Sequence, residues 1–270
     1  MNLFNIKDKV IIITGGGGVL GLSMAKHLLQ NKAIVVILGH NKSTVDNGLV
    51  ELKKIGATVA GYTCSVLDEE SLEEVSKKIV DKFGKIDVLL NVAGGNMPGA
   101  TIREDQTVFD LKMDDFKKVV DLNLFGSIQP SLVFGKEMVK NKKGIIINIS
   151  SMAAQSAITR VVGYSASKAA IDNYTKWLSV ELALKFGDGL RVNAIAPGFF
   201  IGKQNKDLLL KPDGSYTDRG NTIINNTPMK RFGEAEELNG AIHFLCSDAS
   251  KFVTGVVIPI DGGFSAFSGV

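Results

Sequence analysis

A tyrosine and a lysine four residues apart are the side chains of this sequence whose types and spacing indicate proton chemistry. Tyr164 and Lys168 stand in the run Gly-Tyr-Ser-Ala-Ser-Lys, and on a helix both side chains point to the same face. Ser151 lies thirteen residues upstream of Tyr164, just past an apolar run. A hydroxyl at the end of a strand, facing a Tyr/Lys pair on the next helix, can polarise a carbonyl group and deliver a proton to it. We therefore predict that these three residues are catalytic.

The pKa of the tyrosine decides whether this chemistry works at neutral pH. A free tyrosine has a pKa of about 10, which is too high for proton exchange. An ammonium group about 5 Å away, at an effective dielectric constant of about 20, favours the phenolate by ~3 kcal/mol, or roughly two pKa units. We therefore expect Lys168 to lower the pKa of Tyr164, and an oxidised nicotinamide ring to lower it further. The alternative is a chance pair on a solvated helix face.

The composition of the sequence limits the classes of protein to which it can belong. The 270 residues, 45% hydrophobic and 22% charged, suit one large α/β domain or two small ones. The net charge is +3 and the basic residues are dispersed, so neither nucleic acid nor a membrane surface is an expected partner. Cys64 and Cys246 lie far apart in apolar stretches, which predicts buried thiols in a reducing cytoplasm. Three histidines without a Cys/His cluster make a metal site unexpected.

Apolar β-branched runs alternate with amphipathic stretches along the whole chain. Predicted strands cover residues 9–14, 33–38, 58–62, 86–91, 144–150, 190–196 and 255–259. This alternation predicts a single α/β domain with a doubly wound parallel sheet (Rossmann-type) and a ligand at the carboxyl ends of the strands. Ser71 is predicted to begin the helix after the third strand. The polar excursion at 199–228 is interpreted as a lid over the substrate, with a plain surface insertion as the alternative.

A glycine-rich turn follows the first strand. Strand, glycine turn and helix together place backbone N–H groups and a helix N-terminus against a pyrophosphate, and a Cβ would block the approach of the phosphates. The candidate contacts are Gly15, Gly17, Gly18, Val19 and Leu20. The alternative is a flexible turn without a ligand, and the position of the motif in the first βα unit favours the nucleotide.

The second strand ends without an acid. An acidic residue there would hold the ribose 2′-hydroxyl of NAD, whereas a basic residue accommodates the 2′-phosphate of NADP. Here Gly39 is followed by His40, Asn41 and Lys42. We interpret the cofactor as NAD or NADP, with a slight preference for NADP. His40 and Asn41 are the candidate contacts. The alternative for Lys42 is an ordinary surface lysine.

Two asparagines mark the middle of the chain. Asn91 ends the fourth strand, and the small residues Ala93 and Gly94 after it would let a ligand ring lie against the backbone. Asn123 stands in an apolar helix, where an amide is unfavourable unless it is hydrogen-bonded. We interpret Asn123 both as a helix-bending residue and as part of a polar relay.

With these residues in place, the whole chain resembles the short-chain dehydrogenase/reductase family. The resemblance rests on Thr14-Gly15 with Gly21, Asn91-Val92-Ala93-Gly94, Asn123, Ser151, Tyr164 with Lys168, and Pro197-Gly198. It implies that Tyr164 is the general acid/base, that Lys168 binds the nicotinamide ribose, and that Ser151 binds the substrate carbonyl. It also implies a water on Asn123, cofactor contacts from Ser65, Val66, Pro197 and Gly198, and a homotetramer joined through the last strand and the helices near Tyr164 and Asn123.

Three positions depart from the family pattern. Val19 stands where the middle glycine of the turn belongs, so the individual phosphate contacts stay open. Ser65 replaces an aspartate that often touches the adenine, and Val92 replaces the second asparagine of Asn-Asn-Ala-Gly.

The glycine turn, the long loop after Gly95 and the chain end also resemble the D-mannonate oxidoreductase (fructuronate reductase) branch. That resemblance implies a ketone and a secondary alcohol of a sugar acid as substrates. A carboxylate is best bound by an arginine fork, and Arg103 and Arg160 are the candidates on loops that border the predicted pocket. The alternatives are a reductase of another carbonyl, such as a ketoacyl thioester or a neutral sugar, and a non-catalytic nucleotide-sensing protein.

Overall fold

The computed structural model describes residues 2–202 and 205–269, and seven parallel strands form one sheet in this part of the chain. The strands are β1 (Val10–Thr14), β2 (Ile34–Gly39), β3 (Val59–Thr63), β4 (Val88–Asn91), β5 (Gly144–Ile149), β6 (Leu190–Pro197) and β7 (Val257–Ile260). Their order is β3-β2-β1-β4-β5-β6-β7, with every neighbouring pair parallel. The predicted Rossmann-type fold is confirmed.

The direction of winding reverses between β1 and β4, where Thr14 lies opposite Asn91. The Thr14 hydroxyl accepts hydrogen bonds from the N–H groups of Val92 (3.0 Å) and Ala93 (3.1 Å). These bonds hold the loop after β4 against the end of β1. Ligands of such sheets bind outside the strand ends at this reversal, so the predicted site lies at this point.

Helices cover both faces of the sheet. In chain order they are α1 (Val19–Gln30), α2 (Lys42–Lys53), α3 (Glu69–Phe83), α4 (Met113–Val120), α5 (Gly126–Lys140), α6 (Val162–Phe186), α7 (Lys206–Leu209), α8 (Asp218–Asn225) and α9 (Asn239–Cys246). Ile11 and Ile13 pack with α1, α2 and α9, whereas Val10 and Ile12 pack with α3, α5 and α6. Because alternate residues of a strand face opposite sides, each central strand supplies both halves of the core.

The predicted start of α3 is wrong by two residues. The helix begins at Glu69, and the Asp68 side chain accepts a hydrogen bond from the Ser71 N–H at 3.1 Å. An aspartate at this position satisfies one of the free N–H groups of the first turn. Asp68 therefore caps the helix, and Ser71 is its third residue.

The excursion after β6 is a folded unit. It contains α7 and α8, and Leu209, Ile223 and Ile224 pack with Phe232 in a third apolar cluster. Its role as a lid stays a prediction.

The described helices include none whose length and hydropathy would let it span a membrane.

Candidate active site

The three predicted catalytic residues come together beyond the carboxyl end of β5. Lys168 is buried, and its Nζ donates a hydrogen bond to the carbonyl of Ile149, the last residue of β5, at 2.7 Å. The same Nζ lies 5.4 Å from the centroid of the Tyr164 ring. Ser151 follows two residues after β5, and its hydroxyl lies near enough to Tyr164 to oppose part of the rise in the phenol pKa. The arrangement suits proton exchange with an oxygen atom held between the two hydroxyls.

The pKa of Tyr164 moves in the direction opposite to the expected one. Burial raises it above the ordinary value, and the Ser151 hydroxyl only partly opposes this, although the side chain keeps some open surface. The expectation that Lys168 lowers this pKa is wrong for the protein alone, because the removal of water from the phenolate dominates. Lys168 is itself destabilised as a cation, since burial lowers its pKa to about 8.

Asp172 is a charged residue of this site that the sequence interpretation missed. It lies one helical turn beyond Lys168, accepts a hydrogen bond from the Ser150 hydroxyl and bonds with the Gln155 side chain. Its negative charge raises the pKa of Lys168 against the larger effect of burial. The signal was available, because residues four apart on α6 share a face.

Replacing Asp172 by asparagine should shift the alkaline limb of the pH profile to lower pH. The Lys168 ammonium, with a pKa of about 8, then loses its proton more readily. If the carboxylate stabilises the ammonium by ~1 kcal/mol, kcat/KM at pH 8 falls about threefold and is unchanged at pH 6. The pH dependence of kcat/KM measures this, and the exposed Asp81→Asn is the matched control. A uniform loss at every pH would indicate a structural role only.

Asn123 lies in a π-helical segment, Asp121–Phe125, between α4 and α5. Its amide donates hydrogen bonds to the carbonyls of Gly95 (2.6 Å) and Val119 (2.8 Å), and its Oδ1 accepts one from the Gly95 N–H at 3.0 Å. The side chain thus fixes the loop after β4 to a distorted helix. A Cβ on Gly94 would lie 2.8 Å from Asn123 Oδ1 and 3.5 Å from Lys168 Nζ, so this backbone borders the lysine. The relay through a water on Asn123 stays a prediction.

The glycine turn fits the diphosphate of a dinucleotide. Gly18 caps α1 without a side-chain hydrogen bond, and the first turn of α1 carries no acidic residue. The first N–H groups of the helix, from Val19 and Leu20 onwards, are therefore open to an anion. Gly15 has a φ of +64°, and a Cβ there would lie 3.0 Å from the Ala93 backbone.

The other predicted phosphate contact has a packing role. A Cβ on Gly17 would lie 2.7 Å from the carbonyl oxygen of Thr44, so this glycine allows the turn to approach α2. Val19 keeps 42% of its surface exposed at the start of α1, whereas Leu20 packs against the core. The backbone of both residues lies at the helix N-terminus.

The residues at the end of β2 do not support the expected preference for NADP. Lys42 Nζ forms an ion pair with Asp46 Oδ2 at 2.6 Å, four residues along α2. The Asn41 side chain caps α2 by accepting the Thr44 N–H at 3.1 Å, and His40 is exposed. Lys42 thus behaves as the surface lysine of the alternative interpretation.

The side chain of Asn91 has a structural role, and its contact with the cofactor stays a prediction. Its amide donates to Ser131 Oγ at 2.8 Å and to Asn148 Oδ1 at 2.9 Å, all within the core. A buried amide requires such partners, so only the main chain of Asn91 faces the ligand edge of the sheet.

The remaining predicted cofactor contacts lie on loops at that edge. The Ser65 hydroxyl accepts the Leu67 N–H at 3.2 Å, and Val66 is buried. Pro197 ends β6, and the Gly198 N–H donates to the Ile260 carbonyl at 2.9 Å. These positions are compatible with the prediction.

The structure places the two predicted arginines differently. Arg103 is exposed and pairs with Asp105, with Nε 3.1 Å from Oδ1. Arg160 keeps only 22% of its side chain exposed, donates from Nε to the Ile102 carbonyl at 2.8 Å, and pairs with Glu104 at 3.3 Å. The role of Arg103 as a substrate ligand stays a prediction, and its partner disfavours it.

Sequence interpretation missed Arg219, which borders the larger of the cavities described here. This cavity has a volume of about 320 Å³ and lies between the loop after β5 (Thr159), the loop after β6 (Phe199) and the residues after β7 (Phe264). Arg219 Nη1 donates to Thr159 Oγ1 at 3.3 Å. The only feature of the sequence that could have indicated Arg219 is its position in the predicted lid.

Within residues 2–202 and 205–269, no group of three or more His, Cys, Asp or Glu is placed to hold a metal ion.

Comparison with known proteins places this geometry in context. A family model described as enoyl-(acyl carrier protein) reductase matches residues 18–265. An uncharacterized oxidoreductase of Haemophilus influenzae is 45% identical, with 98% of this chain and 96% of the relative covered. A 2-dehydro-3-deoxy-D-gluconate 5-dehydrogenase of Formosa agariphila is 34% identical, with 100% and 97% covered.

A solved structure shows the same fold with a nucleotide. It is that of a candidate D-mannonate oxidoreductase from Haemophilus influenza with bound NAD. It is 45% identical to this chain, covers 98% of both chains and has a TM-score of 0.92.

Proposed function

This chain belongs to the short-chain dehydrogenase/reductase family and is an oxidoreductase acting on CH–OH groups, and we propose that it interconverts a ketone and a secondary alcohol of a sugar acid. D-fructuronate and D-mannonate are the proposed pair. The observation that carries the chemistry is the contact of Ser151 and Tyr164 above the buried Lys168. The sugar acid is supported by Arg219 at the cavity and by the names of the two sugar-acid relatives.

The residues of the site divide the reaction between them. NAD(P), when bound, supplies or accepts the hydride at the substrate carbon. Tyr164 gives a proton to the carbonyl oxygen during reduction and takes it back during oxidation, and the Ser151 hydroxyl holds that oxygen by a hydrogen bond. Lys168 would bind the nicotinamide ribose, and its Nζ lies 5.4 Å from the centroid of the Tyr164 ring. The phenol, which is protonated at neutral pH, is the group placed to give the proton during reduction.

The cofactor is proposed to sit along the edge formed by the glycine turn, the ends of β2 and β4, and the loop after β6. NAD is favoured over NADP, because the 45% identical relative holds NAD.

A substrate panel tests this proposal. Reduction of D-fructuronate, D-fructose and an acetoacetyl thioester is followed by nicotinamide absorbance with NADH and with NADPH. We expect kcat/KM for the hexuronate to exceed that for fructose by about 100-fold or more, because a built polar site rejects analogues that leave it unpaired. Preference for the thioester would establish the rival reductase. Cofactor binding without turnover of any carbonyl would establish the nucleotide-sensing protein.

We also propose a homotetramer in the cytoplasm. Leu132 on α5 and Trp177, Val180 and Leu184 on α6 are 55%, 60%, 57% and 78% exposed, respectively. The three α6 residues share one helix face, and such apolar side chains are usually covered. Cys64 and Cys246 are buried free thiols, as a reducing compartment permits. The mass in solution tests the assembly.

A further inference from the structure

Two arginines from different segments lie near each other, and one of them, Arg219, lines the cavity. Arg160 lies on the loop before α6, and Arg219 is the second residue of α8, on the excursion after β6. Arg219 donates to the side chain of Thr159 at 3.3 Å and to its carbonyl at 3.5 Å, and Thr159 is the chain neighbour of Arg160. Burial first and the charge of Arg160 second lower the pKa of Arg219, so the two cations repel each other.

Few negatively charged groups offset the positive charges of Arg160 and Arg219. Arg160 pairs with Glu104, whose side chain is 88% exposed, and an ion pair of that kind contributes little. Within the described residues, Arg219 forms no ion pair with a carboxylate, its hydrogen bonds to Thr159 are long, and the charge of Glu104 offsets only part of the effect of burial and of Arg160. Two partly buried like charges are unfavourable unless an anion lies between them.

The backbone of Arg160 is held in an unusual conformation. Its φ is +77°, which costs a non-glycine residue of order 1 kcal/mol or more. The loop after β4 stabilises it by two hydrogen bonds with one residue: the Ile102 N–H donates to the Arg160 carbonyl at 3.0 Å, and Arg160 Nε donates to the Ile102 carbonyl at 2.8 Å. Strain of this kind fixes the direction of the side chain.

We propose that Arg160 and Arg219 together bind the substrate carboxylate, and that this anion draws α8 against the loop before α6, the helix that carries Tyr164. The inference rests on the proposed function, which it deepens. The cavity of about 320 Å³ is large enough for a six-carbon sugar acid. Two guanidinium groups present donors from two sides, and charge-assisted bonds to a carboxylate are stronger than those between neutral groups.

The distinction between an acid and its neutral counterpart follows from this geometry. D-fructose differs from D-fructuronate only by a hydroxymethyl group in place of the carboxylate, and D-mannitol differs from D-mannonate in the same way. The neutral sugars carry the same reacting carbon but bring no carboxylate to the two arginines. The arginines are therefore specificity residues, and the reacting hydroxyls are independent of them.

The decisive variant is Arg219→Gln, which keeps hydrogen-bonding capacity and removes the charge. We expect KM for D-fructuronate to rise about 10- to 100-fold while kcat/KM for D-fructose changes less than about threefold. Arg160→Gln should act in the same direction. Lys211→Gln, which removes an exposed positive charge from the same excursion, is the matched control and should leave both substrates unaffected. An unchanged KM in Arg219→Gln, or a larger rise in Arg103→Gln, would overturn the assignment.

A binding measurement separates failure of this inference from failure of the proposed function. Calorimetry of D-mannonate and D-mannitol with the wild-type protein and Arg219→Gln needs no turnover. We expect wild type to bind mannonate at least tenfold more tightly than mannitol, and the variant to lose that difference. Equal binding of the two by wild type would refute the carboxylate site even in an active enzyme. Selective binding of mannonate by an enzyme inactive on sugar acids would uphold the site and refute the function.

Discussion

Replacement of Tyr164 by phenylalanine is expected to lower kcat by about 10²- to 10⁴-fold, the usual contribution of a positioned acid or base. The variant removes one hydroxyl and keeps the ring that lies 5.4 Å from Lys168 Nζ. Packing around the lysine and its bond to the Ile149 carbonyl are therefore preserved. The phenylalanine ring has no proton to give, so the loss falls on kcat.

The measurement joins steady-state kinetics with the dissociation constant of NADH by fluorescence. Binding of NADH should change by less than about threefold, since the hydroxyl is needed for the proton step. Tyr174→Phe is the matched control, because Tyr174 is ten residues along the same helix and burial raises its pKa to about 12. It should retain full activity. A Tyr164→Phe enzyme of near wild-type kcat would rule out the phenol as the acid.

Local patterns were sufficient to predict the sheet and the catalytic helix. β1 consists of five buried residues, and such a run, buried on both faces, is typical of a central parallel strand. Tyr164 and Lys168 share a face because the helical repeat fixes it, whatever surrounds the helix. These features depend on residues close in sequence, which is why the sequence alone was enough.

Properties that depend on distant segments were predicted poorly. The pKa of Tyr164 rises because the folded chain removes water from it, and the spacing of Tyr164 and Lys168 contains no information about burial. Asn91 binds Ser131 and Asn148, which lie far along the chain, so its structural role was not visible.

The partners of charged residues were also difficult to predict from the sequence. Lys42 was considered beside the alternative of a surface lysine, and its pairing with Asp46, four residues along α2, agrees with that alternative. Arg219 stands in a polar stretch that resembles any surface insertion, and only the fold brings it to Thr159, sixty residues earlier in the chain. Pairings across the cavity therefore required the structure.

A single methyl group on Gly21 is expected to damage both the fold and the cofactor site. A Cβ there would lie 2.5 Å from the Gly15 carbonyl oxygen and 2.9 Å from Gly16 Cα. Both obstacles are backbone atoms of the glycine turn, so no side chain can rotate away. The turn must separate from α1, and we expect Gly21→Ala to lower the free energy of unfolding by about 1–3 kcal/mol.

The same displacement moves the turn that the diphosphate is proposed to contact. The dissociation constant of NADH should therefore rise by about 10- to 100-fold in Gly21→Ala. Gly240→Ala is the matched control: Gly240 lies on α9, is exposed, and would have no atom within 4 Å of its new Cβ. It should stabilise the protein by about 0.5–1 kcal/mol, because alanine loses less backbone entropy in a helix. Urea unfolding and NADH titration measure both variants, and a Gly21→Ala protein of wild-type affinity would show that the turn is not the diphosphate site.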